Sequence, residues 1–324
     1  MFKTPILLIT FNRPDHTRRV LTEILKQEPQ ELYVCQDGAR EGNENDRVKC
    51  QEVREVVNEL TAPYAIGRKD FMLHTLYQGR NMGCGPGPAA GLTWFFKNVE
   101  YGLIFEDDAV PHPDFFNYAE TLLEKYKDEE SVRAIGSMNV DTKKWGDGSF
   151  YFSMMNRNLC AWATWRRAWK DFDLYLRDVT WQKLDKALKQ YGCSFYEREF
   201  WLDRLAEAQK NAQGGRSWDM QFFMSIWLNG GKGVIPNVNL SSNIGTVGEG
   251  THQMWSGNII DNIPTEPILP LVHPSSTDIQ SAADREFHQR YFEPYKHTAM
   301  WIIAKINKRV KRLTGHKGSW IKKK

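Results

Sequence analysis

The first half of the chain alternates short apolar runs with amphipathic stretches, and nearly every apolar run ends on a polar cluster. Pro5 to Thr10 is a continuous apolar run, as a strand buried on both faces requires. Asp15 to Lys26 follows with Val20, Leu21, Ile24 and Leu25 at helical spacing. Glu31 to Cys35 reads as a second strand ending at Gln36-Asp37-Gly38, and Asp46 to Leu60 as a helix with Val48, Val53, Val56, Val57 and Leu60 on its apolar face. Phe71 to Tyr77 is a third strand. A glycine- and proline-rich loop, Gly79 to Gly91, leads into a helix over Ala89 to Asn98. Tyr101 to Phe105 is a fourth strand ending at Glu106-Asp107-Asp108, followed by a helix over Asp114 to Lys125 and a strand over Val132 to Ile135. This alternation predicts an α/β fold: a mixed, mostly parallel sheet flanked by helices. Ligands of such sheets sit beyond the carboxyl ends of the strands. Asn12-Arg13, Asp37-Gly38 and Glu106-Asp107-Asp108 all fall there.

The second half is less regular. Leu159 to Phe172 is Trp-rich, Lys183 to Asn211 predicts one or two charged helices, and Asp219 to Leu228 predicts a buried one. Lys232 to Asn237 is a short strand, with a polar loop over Ser241 to His252. The expected organisation is one domain over 1–260, with a donor-binding half at 1–140 and an acceptor half at 141–260. An extended surface segment is expected over 261–300, then a basic amphipathic helix and tail over 301–324.

Charge separates the tail from the body. Of 43 Lys and Arg, nine lie between Trp301 and Lys324 with no acid among them, leaving 34 against 40 Asp and Glu. A mildly acidic body argues against nucleic acid as a partner. Ile302, Ile303, Ile306, Val310 and Leu313 share one face of the tail helix, with Lys305, Lys308, Arg309, Lys311 and Arg312 largely opposite. Such a helix either lies on an anionic membrane or docks on the body. Five scattered cysteines without a CxxC pair predict free thiols in a reducing compartment. No apolar run approaches about 18 residues. The expected location is the cytoplasm, with peripheral contact to the inner face of the membrane through the tail helix.

The chemistry concentrates at the strand ends. One or two carboxylates on a rigid strand end bind Mn²⁺ or Mg²⁺, which neutralises a diphosphate and stabilises its departure. Asp108 is the expected metal ligand, Asp107 the contact to ribose or metal-bound water, and Glu106 the residue that orients them. A bare acidic triplet is most often a solvated turn. The apolar run before this one, and Pro113-Asp114-Phe115-Phe116 after it, mark it as a built strand end. Asp37 can accept the N3–H of uracil, or simply make an Asp-Gly turn. Arg13 can pair with phosphate. Asn81 lies in the loop Gln78 to Gly87, which reads as a cradle near ribose or uracil. Pro86 and Pro88 remove two amide donors, so it is not a P-loop. Asp219, after Ser217-Trp218, is the expected base for a hydroxyl nucleophile, against the alternative of an N-cap. His252 is a second candidate for the metal or diphosphate. Trp162 and Trp218 are candidates to wall a sugar pocket, although most Trp in any chain serve as core.

Taken in order, these segments resemble the GT-A glycosyltransferases grouped with N-acetylglucosaminyltransferase I and its bacterial relatives. The matching elements are Asn12-Arg13-Pro14, Cys35-Gln36-Asp37-Gly38, Phe105-Glu106-Asp107-Asp108 with Pro113 to Tyr118, Cys160 to Trp165, Trp218-Asp219 and Gly248 to His252. The resemblance implies an inverting, metal-dependent transfer from a UDP-sugar, and a tail helix lying on a membrane would suit a glycan or lipid-linked acceptor, as in surface-polysaccharide assembly. It places Arg13 on phosphate, Asp37 on uracil, Asp108 on the metal, Asp219 as catalytic carboxylate, and the Trp162 region at the sugar and acceptor pocket. Met220 stands where the family often has a second acid, and Gly85-Pro86-Gly87 where bacterial relatives often carry lysine. Two other classes share these features: a nucleotidyltransferase that makes nucleotide sugars, and a non-catalytic carbohydrate-binding protein. The first would carry a glycine-rich, Lys/Arg-bearing loop after its opening strand, which Thr10 to Pro14 lacks.

Overall fold

All five side chains of the opening strand ILLIT are buried, so it lies inside the sheet rather than at an edge. The computed structural model describes residues 1–140, 143–155, 161–210, 218–245, 262–291 and 299–314. In chain order the elements are β1 (Ile6–Thr10), α1 (Pro14–Leu25), β2 (Glu31–Gln36), α2 (Glu44–Gly67), β3 (Met72–Tyr77), α3 (Pro86–Asn98), β4 (Tyr101–Glu106), β5 (Ala109–Pro111), α4 (Asp114–Lys125) and β6 (Val132–Gly136). They continue as β7 (Phe150–Ser153), β8 (Ala161–Trp165), α5 (Arg166–Trp169), α6 (Trp181–Gln190), α7 (Phe195–Lys210), α8 (Asp219–Leu228), β9 (Lys232–Pro236), β10 (Ser241–Asn243), α9 (Ser281–Tyr291) and α10 (Ala299–Thr314).

Eight strands form one sheet in the order β3-β2-β1-β4-β8-β6-β9-β7. β3, β2, β1 and β4 are mutually parallel, and β6 is parallel to β9. β8 runs antiparallel between β4 and β6, and β7 runs antiparallel to β9. The expected fold class therefore holds: a mixed, mostly parallel sheet flanked by helices. β5 and β10 pair antiparallel in a separate two-stranded ribbon, which lays Asn243 opposite Ala109.

Local signals account for most boundaries. Pro14 starts α1, and Pro86 with Pro88 start α3, where amide hydrogens have no helical partner to lose. The glycine loop therefore ends in a helix three residues earlier than the apolar spacing alone predicts. Asn43 caps α2 by accepting from the Asp46 amide at 3.0 Å. Ser194 and Glu197 make a reciprocal capping box at α7. Gly91 on α3 faces Cys35 of β2 so closely that a Cβ there would overlap the sulfur, which lets α3 lie flat on the sheet. Among the described residues two large cores result, one on each face of the sheet, with a small third cluster at Tyr151, Ile235 and Ala283. Each large apolar side chain so buried contributes about 1.5–3 kcal/mol.

Two expectations for the C-terminal part need correction. The 261–300 segment is not extended throughout, because α9 runs over Ser281–Tyr291 and buries Ala283, Asp284, Phe287 and His288. Its polar composition hid this, since two of those four buried residues are ionisable. The basic face of α10 also turns toward the protein rather than toward a membrane. Lys305 and Lys308 pair with Asp203, Arg309 with Asp185 and Glu199, and Arg312 with Glu199 and Asp203. Glu199 is fully buried, and a buried carboxylate is held in an interior only by such partners. Ile306 and Leu313 remain exposed. Among the described residues no helix is long and apolar enough to cross a membrane.

Candidate active site

β1 and β4 are adjacent and parallel, with Ile9 opposite Glu106, so the segments that follow them meet at one sheet edge. Arg13 is the N-cap residue of α1, and its carbonyl accepts from Thr17 through both the amide and Oγ at 2.9 Å. Its side chain makes no capping bond. Instead Arg13 Nη1 reaches Asp108 Oδ2 at 3.0 Å. Asp107 Oδ2 accepts the Phe11 amide at 3.2 Å. Asp108 Oδ1 is buried and has no hydrogen-bond partner among the described residues. The ribbon strand β10 closes the other side. Ile244 donates its amide to the Asp108 carbonyl at 2.8 Å, and a Cβ on Gly245 would overlap Asp108 Oδ2. His16 Nε2 lies 3.1 Å from the Ile244 carbonyl.

A buried carboxylate beside a second acid pays more to ionise. Burial, then the neighbouring Asp108 charge, pushes Asp107 up to about 7, against the opposing pull of Arg13. Burial also raises Asp108, with Arg13 and His16 opposing. The folded state thus favours the neutral form of Asp107. Its contribution to stability is full below the ordinary carboxylate range and is lost as pH rises toward about 7. With chelator present, Asp107→Asn is expected to melt near wild type at about pH 4 and at least about 2–4 °C higher at about pH 8. Differential scanning fluorimetry across that range checks it; a pH-independent difference would contradict the assignment.

A divalent cation fits this edge in one way. The described residues contain no group of three or more His, Cys, Asp or Glu able to hold a metal. Asp108 does offer a half-buried carboxylate whose buried Oδ1 has no partner among the described residues. That donor set suits an ion held by one protein carboxylate and completed by substrate phosphates and water. His252, the second ligand expected from the sequence, lies outside the described residues.

The structure gives Asp37 and Asn81 a different task from the nucleotide contacts expected of them. Asp37 Oδ1 accepts the amides of Gly38 at 2.9 Å and Met82 at 2.8 Å. Its Oδ2 accepts Met82 at 3.1 Å, Gly83 at 3.0 Å and Asn81 Nδ2 at 3.0 Å. Asn81 Nδ2 also donates to the Gly38 carbonyl at 2.9 Å. The carboxylate is the anchor that folds the glycine loop onto β2, and a uracil N–H would have to compete with these donors. Burial raises Asp37 while the amides of Met82, Gly83 and Gly38 oppose it.

Asp219 is the first residue of α8, after the N-cap Trp218, so the capping role considered for it is not the one observed. Its charge is felt at Cys84 in the glycine loop. Partial enclosure raises this thiol, and the charges of Asp219, Asp37 and Glu106 raise it further. The charges of the base candidate, the β4 end and the loop anchor are thus all felt at this thiol. Trp162 and Trp218 do not wall a sugar pocket. Trp162 is fully buried and Trp218 nearly so; their rings stack at 5.6 Å, and both pack on Phe222. They are core beneath the site, as strand β8 with every side chain buried requires.

One cluster at the same edge went unread in the sequence. Asp46, fully buried, accepts Arg40 Nε at 2.5 Å, Arg40 Nη2 at 2.8 Å and Asn12 Nδ2 at 2.8 Å. The Arg40 bonds hold its carboxyl at about 2. Gln36 bridges the Phe11 and Cys50 carbonyls and accepts from Arg54. These bonds brace the turns after β1 and β2. The available signal was Asn12 directly after a strand and an acid in the first turn of α2.

No family model matches the chain, and no curated protein matches it. Structural matches exist at low identity. Staphylococcus aureus TarS residues 1–349 align over 74% of this chain and 60% of that one, with a TM-score of 0.40 and 13% identity. An apo UDP-glucose pyrophosphorylase aligns over 75% and 93%, at 0.38 and 8%. The 4-diphosphocytidyl-2C-methyl-D-erythritol synthase of Anaerococcus prevotii aligns over 52% and 74%, at 0.28 and 12%. The chain thus spans about three-fifths of that TarS structure.

Proposed function

We propose that this chain is a metal-dependent glycosyltransferase of the GT-A type, transferring a sugar from a nucleoside-diphosphate donor, UDP by preference, to a hydroxyl of a glycan or lipid-linked acceptor with inversion. The observation that carries the reading is the Asp107-Asp108 pair at the carboxyl end of β4. Asp107 is buried and Asp108 half-buried; Arg13 faces the pair, and Asp108 Oδ1 has no hydrogen-bond partner among the described residues.

Each residue has a task that its position allows. Asp108 would hold Mn²⁺ or Mg²⁺, and a cation bound there supplies positive charge to the departing diphosphate. Asp107, fixed by the Phe11 amide, keeps a second acid beside it. Arg13 offers a planar pair of donors to phosphate. Asp37 and Asn81 hold the glycine loop in place beside Cys84. Asp219, whose charge reaches the same position as that of Glu106, accepts the proton of the acceptor hydroxyl as oxygen attacks the sugar carbon. Buried Trp162 and Trp218 keep α8 and its first residue in register with the sheet.

The test incubates the full chain with several UDP-sugars, Mn²⁺ and candidate glycan acceptors, and measures the released phosphates. UDP release that rises with acceptor and stops with chelator is expected. Pyrophosphate made from a sugar 1-phosphate and a nucleoside triphosphate would identify a nucleotidyltransferase instead. Donor binding with no turnover across acceptors would leave a binding protein.

A further inference from the structure

The ion pair between Arg13 and Asp108 bears on how a cation would enter. It rests on the metal position proposed above. Asp108 Oδ2 is covered from one side by the Arg13 guanidinium at 3.0 Å and from the other by the Gly245 backbone. Oδ1 lies buried beneath them. A guanidinium on Oδ2 and a cation on Oδ1 of the same carboxylate lie close enough to repel. A hard cation therefore binds Asp108 more tightly once the guanidinium has moved. The Arg13 backbone is fixed at the start of α1, between β1 and Pro14, with its carbonyl held by Thr17. The side chain alone is able to swing. A diphosphate is a better bidentate partner for it than a single carboxylate oxygen.

We propose that Arg13 is a built-in counter-ion that occupies the cation position at Asp108 until a nucleotide diphosphate draws it away, so that metal and nucleotide bind with positive coupling. In the resting protein it offsets the charge of two adjacent acids, Asp107 buried and Asp108 half-buried. In the loaded protein the same guanidinium and the incoming cation both face phosphate. Coupling of this kind is reciprocal: nucleotide tightens metal by the factor by which metal tightens nucleotide.

The test titrates the full chain with Mn²⁺ alone and with Mn²⁺ plus UDP, following free Mn²⁺ by electron paramagnetic resonance. In wild type, UDP is expected to tighten Mn²⁺ binding by about tenfold or more. In Arg13→Leu, Mn²⁺ alone is expected to bind about tenfold more tightly than to wild type, and UDP to add less than about threefold. Arg13→Lys, which keeps the charge, should retain most of the coupling. Circular dichroism melts confirm that each variant is folded; if the leucine variant is not, Arg13→Gln decides. A folded neutral variant that binds Mn²⁺ alone no more tightly than wild type overturns the counter-ion role while leaving the metal site intact. Failure of wild type and variants alike to bind Mn²⁺, with or without UDP, overturns the metal site and this role together.

Discussion

Asp108→Asn is expected to abolish measurable Mn²⁺ binding and to lower sugar transfer by about 10²–10³-fold or more. The amide keeps the shape of the carboxyl, and its Oδ1 can still accept from Arg13. What it loses is the negative charge that a hard cation needs. A purely structural role for Asp108 predicts a different outcome. Burial disfavours its charge, so removing that charge would leave stability little changed or improved and turnover near wild type. Mn²⁺ titration, thermal melting and acceptor-dependent UDP release on the same preparation separate the two. Retained Mn²⁺ binding in Asp108→Asn would move the metal elsewhere.

The strand ends were the legible part of this molecule. Pro5 to Thr10 and Tyr101 to Phe105 read as strands because both faces are covered and no alternation interrupts them. Two such parallel strands side by side place whatever follows them together, which is why Arg13 and Asp108 meet although they are far apart in sequence. The antiparallel strand β8 was not readable as a strand. Its AWATW has the aromatic content of a pocket wall as much as of a core, and only its insertion between β4 and β6 decides for the core. Asp37 shows the same limit at one residue. Its position after β2 was clear, but its partners are amides from a loop 45 residues further on, which no local pattern encodes. α10 was read as amphipathic, as it is, yet which face turns inward depends on Asp185, Glu199 and Asp203 of α6 and α7. Pairing with buried acids draws a cationic face inward as effectively as apolar burial draws an apolar one.

Asp219→Asn is expected to keep donor and Mn²⁺ affinity within about threefold while lowering turnover by about 10²–10⁴-fold, the range for loss of a general base. The separation follows from place. Asp219 comes from α8, whereas the cation and phosphate groups come from the β1 and β4 ends. Its charge nevertheless reaches Cys84 along with those of Asp37 and Glu106. An acid held only for helix stability would behave otherwise. At the first helical position its replacement by Asn costs about 0.3–1 kcal/mol of favourable interaction with the helix dipole, and turnover stays unchanged. The diagnostic is therefore the split between binding and turnover. Single-turnover assays with saturating donor and acceptor isolate the chemical step, and nucleotide titration isolates binding. A loss confined to affinity would place Asp219 on the donor, and full turnover in the asparagine variant would require another residue to take the acceptor's proton. Met220 cannot be that residue, since a thioether offers no site basic enough at neutral pH. The search would pass to Glu106, whose charge reaches the same thiol from the end of β4.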